Sequence, residues 1–195
     1  MPEPLLKESA PGGDLRLEDR VVFGPTMETL LLSCGDPPHP AAVEAFLEAG
    51  VDVRRLEVAY PLQTYLVLLD RVRRIRFPEL PEAEGYYRLG RSFIERYSST
   101  FMGRATLRLL PILGPVRVLA KMAQSFRSAS NYVRVQAKEL GPRHYEVHLG
   151  PVRRPHYYHG VLAAGLEVTG ARGLAVKLLE YRANEEVVFE VRWTA

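Results

Sequence analysis

Hydrophobic residues in the first two thirds of the chain recur every three or four positions, which is the period of an amphipathic α-helix. The clearest example is "YPLQTYLVLLDRVRRIRFPELP", where one face carries Leu62, Tyr65, Leu66, Leu69 and Val72. Pro61 suits the first turn of a helix, and Phe77-Pro78 interrupts the pattern. The segment is therefore predicted to be a helix with one buried face.

A second periodic stretch, "PEAEGYYRLGRSFIERYSSTFMGRATLRLL", predicts the longest helix, from Pro81 to Leu110. Its apolar positions are Leu89, Phe93, Tyr97, Phe101, Ala105 and Leu109. Gly90 and Gly103 lie inside it, and each costs up to about 1 kcal/mol relative to alanine. Each glycine therefore predicts the close approach of another backbone or of a ligand. The following "PILGP" predicts a break, and a further helix begins near Pro115.

Shorter elements precede these helices. "TMETLLLSC" and "PAAVEAFLEAG" have helical periodicity, and the second has Pro40 in its first turn and Gly50 at its C-terminal end. "RVVFG" predicts a short ordered segment. Residues 1–20 mix proline, glycine and charge without periodicity, which predicts a flexible leader.

From Asn131 onward the hydrophobic period becomes two, which is typical of β-strands. "YVRVQAKEL" and "HYEVHLG" predict a hairpin, and "LAVKLLEY" and "VVFEVRW" predict a second strand pair after the helix "HYYHGVLAAGLEVTG". The fold class is therefore α+β. An N-terminal helical subdomain (residues 21–130) packs on a C-terminal four-stranded antiparallel sheet with one helix (131–195), in the order strand-strand-helix-strand-strand.

Charge adds little to this picture. The 195 residues have a formal net charge of +3 and a sequence pI of about 9.1. The basic residues are 22 arginines and 4 lysines, and an arginine bias along a whole chain is explained more simply by codon usage than by a selected patch. We therefore expect no nucleic-acid partner.

The single cysteine and the apolar segments bear on location. Cys34 has no intramolecular disulfide partner and lies in a Leu-rich segment, which favours a buried thiol in a reducing compartment. The N-terminus lacks the pattern of a signal peptide, and Arg108 and Arg117 interrupt the longest apolar run. We expect a cytoplasmic protein with no membrane span and no membrane partner.

Four of the five histidines lie in "HYEVHLGPVRRPHYYHG". On a strand, His144, Glu146 and His148 share one face, and His156 and His159 follow at helical spacing. These side chains could bind zinc, as in sites built from histidine and carboxylate. The alternative is a set of solvent-facing histidines next to a helix start, and it is favoured because no HExxH or CxxC motif accompanies them.

No other segment has a catalytic signature. Ser98, Ser99 and Thr100 lie within a helical pattern rather than at a strand-to-helix turn, and no glycine-rich loop follows a strand. We therefore expect a protein that is not an enzyme and that has no cofactor.

Aromatic residues concentrate in the helical part and at its junction with the sheet. They are interpreted either as core or as the wall of a pocket that has tyrosine hydroxyls and arginines as polar groups. In the second interpretation, Gly90 and Gly103 make room for the ligand. The predicted ligand contacts are Arg91, Phe93, Tyr97, Phe101, Arg104, Phe126, Tyr132 and Tyr157.

The segment "LGRSFIERYSSTFMGRATLRLLPILGPVRVLAKMAQSFRSASNYVRV", with "YYHGVLAAGLEVTG" and the terminal "FEVRW", resembles a large paralogous family of uncharacterised domains from myxobacteria. The resemblance runs from about Val21 to Trp193. It includes Gly90, Asn131, Tyr158 and Gly160 among its markers. It implies a fold rather than an activity.

More distantly, the order of elements resembles haem-based nitric-oxide and oxygen sensor domains, vinyl-reductase-type ligand domains and subunits of trafficking complexes. In the haem sensors, a proximal histidine lies on the helix before the hairpin. Here "RVLAKMAQSFRSASNY" contains no histidine, and Phe126 occupies that region. Their Tyr-x-Ser-x-Arg motif is also missing from "GPVRRPHYYHG". Histidine-ligated haem of that kind is therefore not expected.

Three hypotheses follow. The first is a non-enzymatic sensory or regulatory module that binds a small apolar or acidic ligand in a pocket between helices and sheet. The second is a protein-interaction scaffold that forms a homodimer or binds a regulatory partner. The third is a metal-dependent enzyme at the histidine cluster.

Overall fold

In the computed structural model, residues 15–194 are described, apart from the side chains at positions 101, 102 and 106. A single 3-10 turn, Leu17–Asp19, precedes the first strand. The helices are α1 (Gly24–Leu32), α2 (Pro40–Glu48), α3 (Leu62–Arg76), α4 (Glu82–Tyr97), α5 (Phe101–Ala129) and α6 (Pro155–Glu167). The strands are β1 (Val21–Phe23), β2 (Ala59–Pro61), β3 (Arg134–Gly141), β4 (His144–Gly150), β5 (Arg172–Arg182) and β6 (Glu186–Thr194).

The C-terminal part has the predicted order strand-strand-helix-strand-strand, and its four strands form an antiparallel sheet in the order β3-β4-β6-β5. Inward-facing residues alternate with polar ones, so that Tyr145, Val147 and Leu149 of β4 are buried. The α+β fold class is confirmed. The buried side chains of the helical and sheet parts form one continuous core.

The N-terminal elements also follow their sequence signals. Proline opens α2 at Pro40, and Gly50 follows the helix with a φ of 77°, in the left-handed region. The ordered segment predicted at "RVVFG" is β1, which pairs with β2, a strand that periodicity did not predict. Part of the leader predicted for residues 1–20 lies outside the described residues.

The prediction of a single long helix from Pro81 to Leu110 is wrong, because a break at Ser98–Thr100 divides this segment into α4 and α5. Thr100 is the N-cap of α5, and its hydroxyl oxygen accepts a hydrogen bond from the Gly103 amide at 3.0 Å. Threonine and serine satisfy free amides at helix starts, and here this local capping outweighs the continuous hydrophobic period. The break predicted at "PILGP" is a kink within α5 at Gly114, whose φ is 71°.

An ion pair fixes the start of α6 against α3 and α4. Arg154 donates two hydrogen bonds to Asp70, at 2.9 and 2.7 Å, and the Tyr86 hydroxyl donates to the same carboxylate. Burial tends to raise the pKa of Asp70, but the hydrogen bonds from Arg154 and Tyr86 hold it below its usual value. The carboxylate therefore stays ionised and holds the three helices together.

A second long-range clamp joins the N-terminal strand to the loop before β3. The side chain of Asn131 accepts a hydrogen bond from the Val21 amide at 2.9 Å and donates one to the Asp19 carbonyl at 2.9 Å. Each functional group of the amide side chain thus satisfies a backbone group of the other segment.

Within residues 15–194, no helix is both long and apolar enough to cross a membrane.

Candidate functional site

A cavity of about 480 Å³ lies among the helices. Its walls come mainly from α4, α5 and α6, with contributions from α1 and α3. None of its described lining residues belongs to β3, β4, β5 or β6. The space therefore lies within the helical layer, next to the helix that covers the sheet, and not directly between helices and sheet.

The kinked helix α5 forms one side of the cavity. Leu110 and Leu113 line it before the kink at Gly114, and Val118 and Phe126 line it after the kink. Pro111 and Pro115 flank the kink, where each removes a backbone donor from the helical ladder. Both halves of α5 therefore line the same cavity, although the helix changes direction between them.

Aromatic rings of α4, α5 and α6 contact one another along the cavity wall. Phe93 of α4 lies edge-on to Tyr157 of α6, with ring centroids 5.9 Å apart. Tyr158 contacts Tyr157 at 5.4 Å and Phe126 at 6.2 Å. These geometries are favourable for aromatic pairs, so contacts between the rings stabilise this apolar wall.

Tyrosine hydroxyls supply the polar groups of the cavity. The Tyr65 and Tyr157 hydroxyls form a hydrogen bond of 3.0 Å across α3 and α6. Tyr132 and Tyr158 form a second interacting pair. Burial raises the pKa of Tyr65, Tyr157 and Tyr158 well above the ordinary value of 10.0, so these phenols are neutral.

The predicted ligand contacts separate into two groups. Lining the cavity are Phe93, Tyr97, Phe126, Tyr132 and Tyr157. The side chain of Phe101 lies outside the described part of the structure.

The two arginines predicted as anion partners do not line the cavity. Arg91 makes a bidentate ion pair with Glu167 of α6, at 2.8 and 2.6 Å, and Arg104 is exposed. The partner of Arg91 lies 76 residues away along the chain, so spacing within α4 gave no sign of it. The structure therefore places Arg91 and Arg104, which were predicted to contact a ligand, outside the lining of this cavity.

The two helical glycines make room for backbone and not for a ligand. A β-carbon on Gly90 would lie 2.1 Å from the Tyr157 carbonyl oxygen, and one on Gly103 would lie 1.6 Å from the Tyr97 carbonyl oxygen. Of the two predictions for these positions, close approach of a backbone is the one observed.

Sequence reasoning missed several lining residues, including Tyr65, Leu110, Leu113 and Val118. The hydrophobic period places Tyr65 on the buried face of its helix, but that period does not distinguish a core position from a cavity wall. The three α5 residues line the cavity on both sides of the kink, whose direction is not readable from "PILGP".

His144 and His148 lie on the polar surface of the sheet, and His159 lies where α6 packs on the sheet. His148 lies between Glu146 and Glu186, at 2.8 and 3.2 Å, and His144 lies 3.0 Å from Glu190. The Nε2–H of His159 donates to the Val176 carbonyl at 2.8 Å and so ties α6 to β5. No group of three or more metal-ligating side chains among residues 15–194 is arranged to hold a metal ion.

Cys34 is buried at 4% exposure, and burial raises the pKa of its thiol to about 11. A thiol in this state is protonated and unreactive at neutral pH. It contributes to the core, as its Leu-rich sequence setting predicted.

Comparison with known proteins gives a family and a fold. A family model described as a protein of unknown function (DUF2378) matches residues 20–194. None of the curated proteins matches the chain.

Among solved structures, the chain resembles an oxygen-binding H-NOX domain related to soluble guanylate cyclases, solved in its oxygen complex. The two sequences are 14% identical and the TM-score is 0.59. The matched region covers 89% of this chain and 95% of the H-NOX chain. An Fe(II) unliganded H-NOX protein mutant from K. algicida is 13% identical with a TM-score of 0.58, covering 89% and 97%. A third, from work on heme redox potential and porphyrin distortion, is 14% identical with a TM-score of 0.64, covering 89% and 95%. The predicted similarity of fold to these sensor domains is confirmed.

Proposed function

This chain belongs to the DUF2378 family, and we propose that its H-NOX-like domain is a non-enzymatic sensory or regulatory module that binds a small apolar ligand. The observation that carries the proposal is the cavity of about 480 Å³ among α4, α5 and α6. Small-molecule sites are typically of this size, mostly apolar, with a few polar groups that orient the ligand.

The wall chemistry supports a largely apolar ligand with one or two polar atoms. Aromatic and aliphatic side chains make up most of the wall, and the hydroxyls of Tyr65, Tyr132, Tyr157 and Tyr158 are its main buried polar groups. A neutral hydroxyl donates one hydrogen bond and accepts others. A ligand carbonyl, ether or hydroxyl could therefore exchange with the existing tyrosine pairs without leaving a buried group unpaired.

An acidic ligand has less support than an apolar one. The ion pair with Glu167 engages Arg91, and Arg104 is outside the lining. The one cationic lining residue in the described part of the chain is Lys121, which is exposed. A carboxylate deep in the cavity would lose its hydration without gaining a charged partner, which is unfavourable.

The residues of the cavity do not fit a histidine-ligated haem. One structural neighbour comes from work on a heme protein, but no described residue lining this cavity is a histidine or a cysteine. Phenolate ligation is also disfavoured, because burial raises the pKa of Tyr65, Tyr157 and Tyr158. We therefore propose that this protein uses the scaffold for a ligand other than histidine-ligated haem.

The test is direct detection of cavity binding. Native mass spectrometry of freshly purified protein measures whether a small molecule co-purifies with the domain. Titration with the neutral dye prodan, whose emission shifts to shorter wavelength in apolar surroundings, then measures binding to the cavity.

Val118→Phe adds bulk to the cavity wall and should abolish the dye response. Val67→Phe makes the same change on the surface of α3, where the side chain is 37% exposed, and should leave the response unchanged. No bound molecule and no saturable dye binding, or equal binding by both variants, would contradict the proposal.

A further inference from the structure

Around its kink, α5 exposes large apolar side chains. Ile112 is 78% exposed, Leu109 is 55% exposed and Val116 is 50% exposed. Isolated exposed apolar residues are common on protein surfaces, but these three lie within two turns of one helix, around the kink at Gly114. The described residues of the chain leave at least half of each of these side chains uncovered.

The segment that carries these side chains packs loosely on the rest of the protein. None of the described residues between positions 104 and 118 is buried, whereas Leu119 and Met122 in the second half of α5 are. Its inward contacts are those of the cavity wall, such as Leu110 and Leu113. The core therefore does not account for the apolar character of this part of α5.

The same region is strongly and uniformly basic. Residues 96–138 contain eight arginines and lysines and no aspartate or glutamate, although the chain has 23 acidic residues elsewhere. Arg104, Arg108, Arg117 and Lys121 are exposed and make no ion pair within the described residues. The chain as a whole has a net charge of only +3, so the positive charge is concentrated here.

Cationic and apolar side chains share one surface. Arg104, Arg108 and Ile112 follow one another at spacings of four, which places them in a row along the helix. Leu109, three residues before Ile112, is exposed and also lines the cavity. We call the exposed set Arg104, Arg108, Leu109, Ile112, Val116 and Arg117 the α5 surface.

We infer that the α5 surface docks on a lipid surface that contains anionic lipids. Helices that lie in a membrane interface combine an apolar side, which enters the acyl boundary, with lysines and arginines that contact anionic headgroups. The α5 surface has both components and no acidic residue to oppose them. A protein partner fits less well, because the centres of protein interfaces are depleted of charge, whereas here Arg104 and Arg108 lie in the same row as Ile112.

Docking on a lipid surface differs from the expectation that the protein has no membrane partner. The sequence predicts no membrane partner because no segment could span a bilayer. An interfacial helix needs no span, since it lies along the surface. The inference is also separate from the proposed cavity ligand, because apart from Leu109 no member of the α5 surface lines the cavity.

The experiment is co-sedimentation of the full chain with vesicles. Vesicles of phosphatidylglycerol and phosphatidylcholine in equal parts should bind the protein, and vesicles of phosphatidylcholine alone should not. Binding should fall as salt is added, because screening weakens headgroup attraction. Arg108→Glu/Arg117→Glu and Ile112→Asp should each lower binding on the order of tenfold or more.

Matched controls separate the α5 surface from general charge and hydrophobicity. Val58→Asp changes a residue that is 85% exposed in another part of the chain, and Arg54→Glu/Lys177→Glu reverses two exposed charges elsewhere. Both should bind vesicles as the unchanged protein does, and thermal melting should show that all variants fold. Val118→Phe should also keep vesicle binding, which distinguishes this inference from the cavity proposal.

Several results would overturn the inference: no vesicle binding, equal binding to neutral vesicles, or equal loss in the control variants. A second copy of the chain is the competing occupant of the α5 surface. Light scattering that shows a dimer, disrupted by Ile112→Asp, without vesicle binding by the unchanged protein would favour that occupant instead.

Discussion

Gly90 of α4 and Gly160 of α6 make a reciprocal contact where the two helices cross. A β-carbon on Gly90 would lie 2.1 Å from the Tyr157 carbonyl oxygen, and one on Gly160 would lie 2.0 Å from the Tyr87 carbonyl oxygen. Because both obstacles are backbone atoms of the other helix, neither can move away independently. The crossing also places Phe93 and Tyr157 side by side on the cavity wall.

Gly90→Ala and Gly160→Ala should each destabilise the protein by about 1–3 kcal/mol or more, because an added methyl group forces the two helices apart. This is opposite to the usual effect, since alanine is favoured over glycine inside a helix by up to about 1 kcal/mol. Urea unfolding measures both. Gly165→Ala, also in α6 but with no atom within 4 Å of its added β-carbon, should be neutral or stabilising. Similar losses at all three positions would argue against the close crossing.

The hydrogen bond between Tyr65 and Tyr157 predicts non-additive substitutions. Tyr65→Phe leaves the Tyr157 hydroxyl buried without its partner and should cost about 1–3 kcal/mol of unfolding free energy. Tyr65→Phe/Tyr157→Phe removes both hydroxyls and should cost less than the sum of the single changes. Chemical denaturation of the four proteins in this cycle measures the coupling, and simple additivity would mean that the hydroxyls act independently.

The Asp70–Arg154 pair should be important for stability. Arg154→Ala removes a bidentate partner of a half-buried carboxylate and should cost roughly 1–2 kcal/mol. Arg88→Ala is the control, because it breaks an exposed ion pair with Glu84 and should cost no more than about 0.5 kcal/mol. Equal losses in the two variants would show that burial adds nothing to the Arg154 pair.

Asp70 also predicts a response to acid. Its pKa is lowered in the folded protein from an ordinary value of 3.8, so its contribution is complete above that pH and is lost as pH falls through the lower folded pKa. The melting temperature should therefore fall more steeply below about pH 4 for the unchanged protein than for Asp70→Asn. Parallel acid profiles for the two proteins would contradict this assignment.

His148 predicts a pH dependence of the opposite sign. Burial tends to lower the pKa of His148, but hydrogen bonds with Glu146 and Glu186 raise it above 6.5. A raised pKa stabilises the fold at pH below 6.5, and the contribution is lost as pH rises through the folded value. Melting temperatures between about pH 6 and pH 8 should decrease for the unchanged protein and change less for His148→Gln. NMR titration of the imidazole checks the direction independently.

The local elements were largely predictable, because their signals lie close together in sequence. Pro40 and Gly50 bounded α2, Phe77-Pro78 ended α3, and alternation from Asn131 onward indicated the strands of the sheet. Two local signals compete between α4 and α5, and they predict different structures. The hydrophobic period ran through Ser98–Thr100, but the capping hydroxyl of Thr100 separates α4 from α5.

For the candidate site, the sequence predicted which types of residue are present but not how they are arranged. The sequence identified aromatic residues that line the cavity, including Phe93, Tyr97 and Phe126, but it also assigned Arg91 to the site. The partner of Arg91, Glu167, lies on a different helix, and the α4–α6 crossing brings the two together.

Taken alone, the sequence determined the order of helices and strands, the α+β class and the residues available for a pocket, because periodicity and turn chemistry act over a few residues. The tertiary structure decided where the cavity lies, which tyrosines pair inside it and which arginines are already neutralised. It also decided that Arg108, Ile112 and Arg117 of α5 are exposed. These features depend on the direction of the kink at Gly114 and on the angle at Gly90 and Gly160, which are set by contacts between distant segments.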